Sequence, residues 1–249
     1  MQNRAIRFFL GVHPKTLIPA IQGDMGWFPC KYKRMFEVIR LWNRLINMED
    51  ERITKTCFIK DMENRSNNWS SNVMQLFEKL EISSNFDQLL PVEIEAVRPK
   101  IVALIESEWK TQVDSKPKLR SYKLFKSNFG AEEYVCQYLS RYKRSLFAQL
   151  RSGILPLNIE IGRYRGVRVE DRICCFCTPD KVESEMHFMV ECCKYDIQRA
   201  ELYNKLSFDI TFANSNNQEK YNKLMRCYYK EATEFVAKAW TIRQNNIFN

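Results

Sequence analysis

The chain has 249 residues, enough for one large domain or two small ones with a real core. Hydrophobic residues make up 45% and glycines number only seven, which excludes wholesale disorder. The net charge of +9 is uneven: residues 1–60 carry 11 Lys/Arg against 5 Asp/Glu, 61–140 carry 10 against 12, and 141–249 carry 18 against 13. Basic ends around a slightly acidic middle suit surfaces that face phosphate. No apolar run approaches the roughly 20 residues of a membrane span, and the apolar part of "RFFLGVH" is too short for a signal peptide. The expectation is an intracellular protein, cytoplasmic or nuclear, with no membrane partner. In such a reducing compartment nine cysteines are not a disulfide framework. The four single ones, Cys30, Cys57, Cys136 and Cys227, read as small buried hydrophobes.

Taken in chain order, most of the sequence reads as helix. A short helix is expected at 4–10. In 31–48, apolar Met35, Val38, Ile39, Trp42, Leu45 and Ile46 share one side at 100° per residue, with Lys33, Arg40 and Arg44 opposite and Pro29 placed for a helix start. Further helices are expected at 52–62, 69–80 and 92–112, and another over 131–152, ending at Gly153. The polar, proline-interrupted "DSKPKLRSYK" at 114–123 reads as a hinge. Residues 153–173 break the helical rhythm with a proline, three glycines and alternating apolar positions, which suggests an extended lead-in and a short hairpin. The tail, 218–243, keeps Tyr221, Leu224, Met225, Tyr228, Ala232, Phe235, Val236 and Ala239 on one stripe, a packing face or else a partner-binding helix. The fold class expected is mainly α: a helical region 1–113, the hinge, a helix and extended basic lead-in at 124–169, a small Cys3His module at 170–203, and a helical tail at 204–249.

The stretch "CCFCTPDKVESEMHFMVECC", 174–193, holds five of the nine cysteines and one of the two histidines. It can be read as C-x2-C-x9-H-x4-C, with Cys174, Cys177, His187 and Cys192 as four soft or borderline ligands for one tetrahedral Zn2+. Cys175 with Cys177 is too short a bite, so Cys174 is preferred. Between Cys192 and Cys193 the spacing alone does not choose. In a helix over 183–203, His187 and Cys192 do not share a face, so the turn there must tighten or break. Three thiolates around Zn2+ leave the site at about −1, and Asp180, Glu183, Glu185 and Glu191 add negative charge. The basic partner lies just upstream: Arg163, Arg165, Arg168 and Arg172 with Tyr164 interleaved, cations for phosphates and a ring for stacking on a base.

"RSGILPLNIEIGRYRGV", "RICCFC" and "ESEMHFMVECCKYDIQRAELY" together resemble the segment after the polymerase in LINE-type (non-LTR) retrotransposon proteins. The zinc knuckle of that family would correspond to Arg172, Cys174, Cys177, Glu185, His187, Phe188, Cys192, Tyr195 and Arg199 here, and this resemblance selects Cys192 over Cys193. The start, "NRAIRFFLGVHPKTLIPAIQGDMGWFP" followed by "RLWNRLINM", is similar to the thumb and post-thumb region of jockey-like elements of the same family. The resemblance covers 3–52 and 151–203 and is weaker in the middle and tail.

No Asp–Asp pair occurs in the sequence, so the two-metal centre of the polymerase has no counterpart. The one Pro–Asp dipeptide, Pro179–Asp180, lies inside the metal loop rather than in a nuclease core. The resemblance therefore implies a non-catalytic C-terminal piece that grips RNA or an RNA–DNA hybrid, associates with an intact reverse transcriptase, and takes no small-molecule substrate. A protein-interaction module docking through its tail helix is the rival expectation.

Overall fold

A computed structural model describes residues 1–64, 66–177 and 181–247. The helices are α1 (Gln2–Leu10), α2 (Ile18–Met25), α3 (Cys30–Ile46), α4 (Ile53–Glu63), α5 (Trp69–Lys79), α6 (Ser83–Asp87), α7 (Ile94–Asp114), α8 (Tyr122–Phe125), α9 (Glu133–Cys136), α10 (Arg141–Arg151), α11 (Asn158–Tyr164), α12 (Asp196–Lys205), α13 (Ile210–Ala213), α14 (Asn217–Arg226) and α15 (Tyr229–Ile247). Among the described residues there is no strand, only two isolated bridges, Met25 with Ala131 and Ile173 with Val182. The protein is mainly α, as expected. None of the described helices is long and apolar enough to cross a membrane.

The chain forms two compact units, Phe28–Glu108 and Met1–Trp27 with Trp109–Asn249. In the smaller unit α3 buries Tyr32, Ile39, Trp42 and Leu45, the stripe its 3.6-residue period sets up, and leaves Lys33, Arg40 and Arg44 exposed. Trp42 is the centre of its core. Its ring stacks on Phe86 at 5.2 Å and meets Phe58 and Phe77 edge-on, while its indole N–H donates to the Leu90 carbonyl at 3.0 Å. The α5 start is fixed by a capping box between Asn68 and Ser71.

Glu108 near the end of this unit accepts hydrogen bonds from Lys31, from Lys79 (2.6 Å) and from the Tyr32 hydroxyl (2.7 Å). Its burial alone would raise the carboxyl; Lys31, Lys79 and Tyr32 outweigh that and hold it at about 2. A carboxyl depressed on folding stabilises fully above its unfolded value near 4.5, and this contribution is lost as pH falls through about 2. With the side chain only 24% exposed but bonded to half-open lysines, Glu108→Gln is expected to cost about 1 kcal/mol at neutral pH after allowance for solvent screening. Hydrogen exchange of the 28–108 amides, compared at pH 7 and near pH 2.5, should show the gap closing in acid; a gap that does not change with pH refutes the role.

The larger unit is organised on α10 and α15. The first buries Leu146, Phe147, Ala148, Leu150 and Arg151, and the second buries Ala232, Phe235, Val236 and Ala239. The tail stripe is thus consumed inside its own unit, with Tyr221, Leu224 and Met225 of α14 also covered. It is a packing face and not a free docking helix. The tail bends between α14 and α15, where the Lys223 carbonyl accepts from both Cys227 and Tyr228.

A buried ionic network fastens α2 to α10. Arg151, fully buried, donates from Nε and Nη2 to the two oxygens of Asp24, both at 2.9 Å, and pairs with Glu132 at 2.9 Å. The hydroxyls of Tyr134 (2.7 Å) and Tyr122 (3.0 Å) also donate to Asp24. Gly26 ends α2 at φ 62°, where an added Cβ would stand 2.3 Å from the Ala131 nitrogen, so only glycine admits this approach.

Several expectations change. The 131–152 helix is two pieces, α9 and α10, because Ser140 accepts from the Lys143 N–H and starts a new helix. The 114–123 segment lies within the larger unit, with Leu119 and Tyr122 buried. Cys30, Cys57, Cys136 and Cys227 are exposed rather than buried. Cys30 and Cys136 are terminal residues of α3 and α9, Cys227 follows α14, and in α4 the buried position is taken by Phe58 beside Cys57.

Candidate metal centre

The centre is assembled by three local devices. The first is a clamp: the Arg172 guanidinium donates to the carbonyls of Val167 and Ile159, and its side chain passes so close to Gly162 that an added Cβ would stand 2.6 Å from Arg172 Cγ. The second is a minimal ladder, in which Cys174 N–H donates to Lys181 O and Glu183 N–H to Arg172 O, both at 2.9 Å. It turns the chain so that Cys174 and Cys177 face the segment that follows. The third is a π-type turn over His187–Glu191, in which the Cys192 N–H donates to the His187 carbonyl at 2.8 Å. This widened turn resolves the conflict of helix faces between His187 and Cys192. It brings residues five apart towards one side, and the chain then leaves the helix at Cys192 with ψ 120°.

As a result, one donor atom each from Cys174, Cys177, His187 and Cys192 lies within 4.8 Å of the others, a group that could hold a metal ion. Cys174 Sγ and Cys192 Sγ are 3.8 Å apart, and Cys177 Sγ is 3.2 Å from His187 Nε2. Cys175 and Cys193 are exposed and stand outside the group. Three crowded thiols cannot all ionise alike. The hydrogen bond from Cys192 holds Cys174 down at about 3 against its burial, whereas burial pushes Cys177 up to about 11. That same bond, with burial, raises Cys192. His187 is raised too: its burial opposes the charged ring, but Cys174 and Glu191 outweigh it.

The surroundings hold these donors in place. Glu191 Oε2 lies 3.3 Å from His187 Nδ1 and leaves Nε2 for the cluster. Arg199 donates to Cys192 O at 2.7 Å and to Met189 O at 3.2 Å, satisfying carbonyls the broken helix leaves open. Phe188 is fully buried between Tyr195 (5.0 Å) and Phe235 of α15 (6.1 Å). Glu183 forms a buried ion pair with Arg243 at 2.6 Å and accepts the Asn158 N–H at 2.6 Å; burial outweighs Arg243 and lifts its carboxyl to about 7. Glu185, also buried, accepts from Arg120 and Ser121, both at 2.7 Å. These carboxylates are therefore internal fasteners, not a solvated acidic face, and Asp180 and Pro179 lie outside the described residues. Sequence reading counts Glu191 only as charge, although its place four residues beyond His187 is the spacing that identifies a ring-orienting partner.

The basic segment differs from its expected form. Arg163 and Tyr164 end helix α11 instead of lying on a strand, and Val169–Asp171 is a 3-10 turn. The alternation of Leu155, Leu157 and Ile159 that suggests a strand marks two buried residues before α11 and one in its first turn. Arg163 pairs with Glu160, Arg168 with Asp171 (each 2.9 Å), and Arg172 is spent on backbone carbonyls. Arg40 pairs with Glu37 at 2.5 Å. Lys33, Arg44 and Arg165 are exposed, and among the described residues no carboxylate pairs with them.

No family model matches the chain, and no curated protein or solved structure matches it.

Proposed function

We propose that this chain is a non-catalytic, nucleic-acid-binding relative of the thumb-to-zinc-knuckle region of LINE-type reverse transcriptases, folded around one structural Zn2+ and gripping RNA or an RNA–DNA hybrid. Zinc is the ion the donors favour. Three thiolates and an imidazole are its usual structural set, and two sulfurs held about 2.3 Å from a tetrahedral centre stand about 3.8 Å apart. The Cys174–Cys192 separation, 3.8 Å, agrees with that edge. With four protein ligands no position is left for substrate, so the ion's part is to hold the loops.

The observation that carries the nucleic-acid reading is that three of the candidate cations, Lys33 and Arg44 on α3 and Arg165 after α11, face outward with no carboxylate partner among the described residues, on a chain of net charge +9. The motif residues Tyr195 and Arg199 support the family reading by their places around the centre. The protein-interaction rival loses its docking surface, since the tail stripe is buried.

RNA binding measured against salt tests this. Removing a cation that touches one phosphate flattens the slope of log affinity against log salt by about one unit. Lys33→Ala with Arg44→Ala is expected to flatten it by about two, equally for all sequences, and Arg165→Ala by about one more. Binding that ignores salt and all three substitutions would sink the reading, as would nucleotide incorporation by the chain.

A further inference from the structure

A cavity of about 730 Å3 opens in the larger unit between the loop after α1 and the segment around α11. Its volume is within the range of small-ligand sites. The walls combine an apolar side, Val12, Ile154, Pro156 and Ile161, with three cations, Lys15, Lys118 and Arg165. Among the described residues one carboxylate, Glu160, lines it, and that group is already engaged by Lys118 and Arg163. The remaining charge is positive, so the cavity favours an anion with an apolar, planar part.

Three side chains sharpen that chemistry. Tyr164 is 60% exposed, and the Arg163 guanidinium lies 4.3 Å from its ring centroid. One face of the ring is thus covered and steadied, and the other is open to stacking. His13 Nδ1 accepts the Lys15 N–H at 3.1 Å, so the neutral ring carries its proton on Nε2, a donor suited to a phosphate oxygen. The Gln149 amide nitrogen donates to Ser145 Oγ (2.9 Å) and Gly11 O (3.3 Å), which fixes the side chain and leaves its carbonyl oxygen to accept from a ring edge.

We infer that this cavity binds one nucleotide unit, its ring against Tyr164 and its phosphate at His13, Lys15 and Arg165. A free nucleoside monophosphate and a nucleotide at the end of a strand share this chemistry. The second source rests on the nucleic-acid reading above; the first does not, and it departs from the expectation that no small molecule is taken.

The test is titration of the full chain with the four nucleoside 5′-monophosphates, with inorganic phosphate, and with an oligonucleotide carrying or lacking a 5′-phosphate. Saturable nucleotide binding is expected, weakened about tenfold by Tyr164→Ala and retained by Tyr164→Phe, since stacking needs the ring and not the hydroxyl. Lys15→Ala should weaken it as well, and both positions are exposed enough to leave the fold intact. A 5′-phosphate preference that Tyr164→Ala abolishes assigns the site to strand ends; monophosphate binding without it assigns the site to free nucleotides. Phosphate alone binding as well as a nucleotide, or no nucleotide binding that responds to Tyr164→Ala, overturns the inference. Salt-dependent RNA binding that responds to Lys33 and Arg44, with no nucleotide binding that responds to Tyr164→Ala, removes the cavity while the broader reading stands; nucleotide binding lost in Tyr164→Ala, with RNA binding indifferent to salt and to Lys33 and Arg44, removes that reading alone.

Discussion

Cys177→Ser is expected to abolish metal binding and unfold the segment from Arg172 to Tyr195, while residues 28–108 keep their structure. The change is nearly isosteric and its site is half-buried, so packing loss is small and the effect reports the ligand. A structural zinc contributes on the order of 10 kcal/mol to folding small fingers, comparable with the whole stability of a domain. Here the local devices that organise the donors without it are the Arg172 clamp, a two-rung ladder and one π-type turn, and a ladder or turn this short is not a lasting structure alone. The damage should spread beyond the segment, because Phe188 packs against Phe235 as well as Tyr195, and Glu183 is paired with Arg243 of α15. The unit 28–108 has its own core around Trp42 and should be spared. Elemental analysis and hydrogen exchange read both parts. Cys175→Ser and Cys193→Ser should each keep one equivalent of metal. Metal retained by Cys177→Ser, or absent from Cys193→Ser, would show that the four donors are wrongly assigned.

The parts of this fold that were legible in the sequence are those with a one-sided pattern. Helix α3 was expected over 31–48 and spans Cys30–Ile46, and α5 was expected over 69–80 and spans Trp69–Lys79, because each carries one apolar stripe against a polar face. The Cys/His group was legible because spacing alone nearly fixes which donors can converge. Helix α2 was not: Pro19, Ala20, Ile21, Gln22, Asp24 and Met25 are all buried, and a segment covered on every side has no period. Helix α11 was hidden by three alternating apolar residues, Leu155 and Leu157 before it and Ile159 in its first turn. The cations on and after α11 looked equivalent in sequence, yet Arg163, Arg168 and Arg172 are committed to nearby acceptors and Arg165 is not. Such commitments depend on carboxylates and carbonyls placed by the fold, as with Arg151 and Asp24, 127 residues apart.

That last pair supports the second large effect. Arg151→Met should destabilise the larger unit by about 3–5 kcal/mol, the usual consequence of leaving one charge of a buried pair behind. Asp24 would keep the hydroxyls of Tyr122 and Tyr134 but lose its counter-ion, while Glu132 would retain Lys126. The pH dependence should invert. In the parent chain burial tends to raise Asp24, and Arg151 more than offsets this, so its carboxyl stays below the ordinary value of 3.8. A depressed carboxyl contributes stability above its unfolded pKa and loses it as pH falls through the folded one, so the parent weakens in strong acid. With Arg151 removed, burial raises Asp24 instead; the variant then gains stability from protonation and weakens as pH climbs above 3.8. Urea midpoints at pH 4 and pH 7 should therefore lie closest to the parent's at pH 4. Removing both charges, Asp24→Asn with Arg151→Met, should cost less than Arg151→Met alone, because no ion is left buried unpaired. A single variant as stable as the parent at pH 7, or a double variant worse than the single, would mean that the network around Arg151 does not hold α2 to α10.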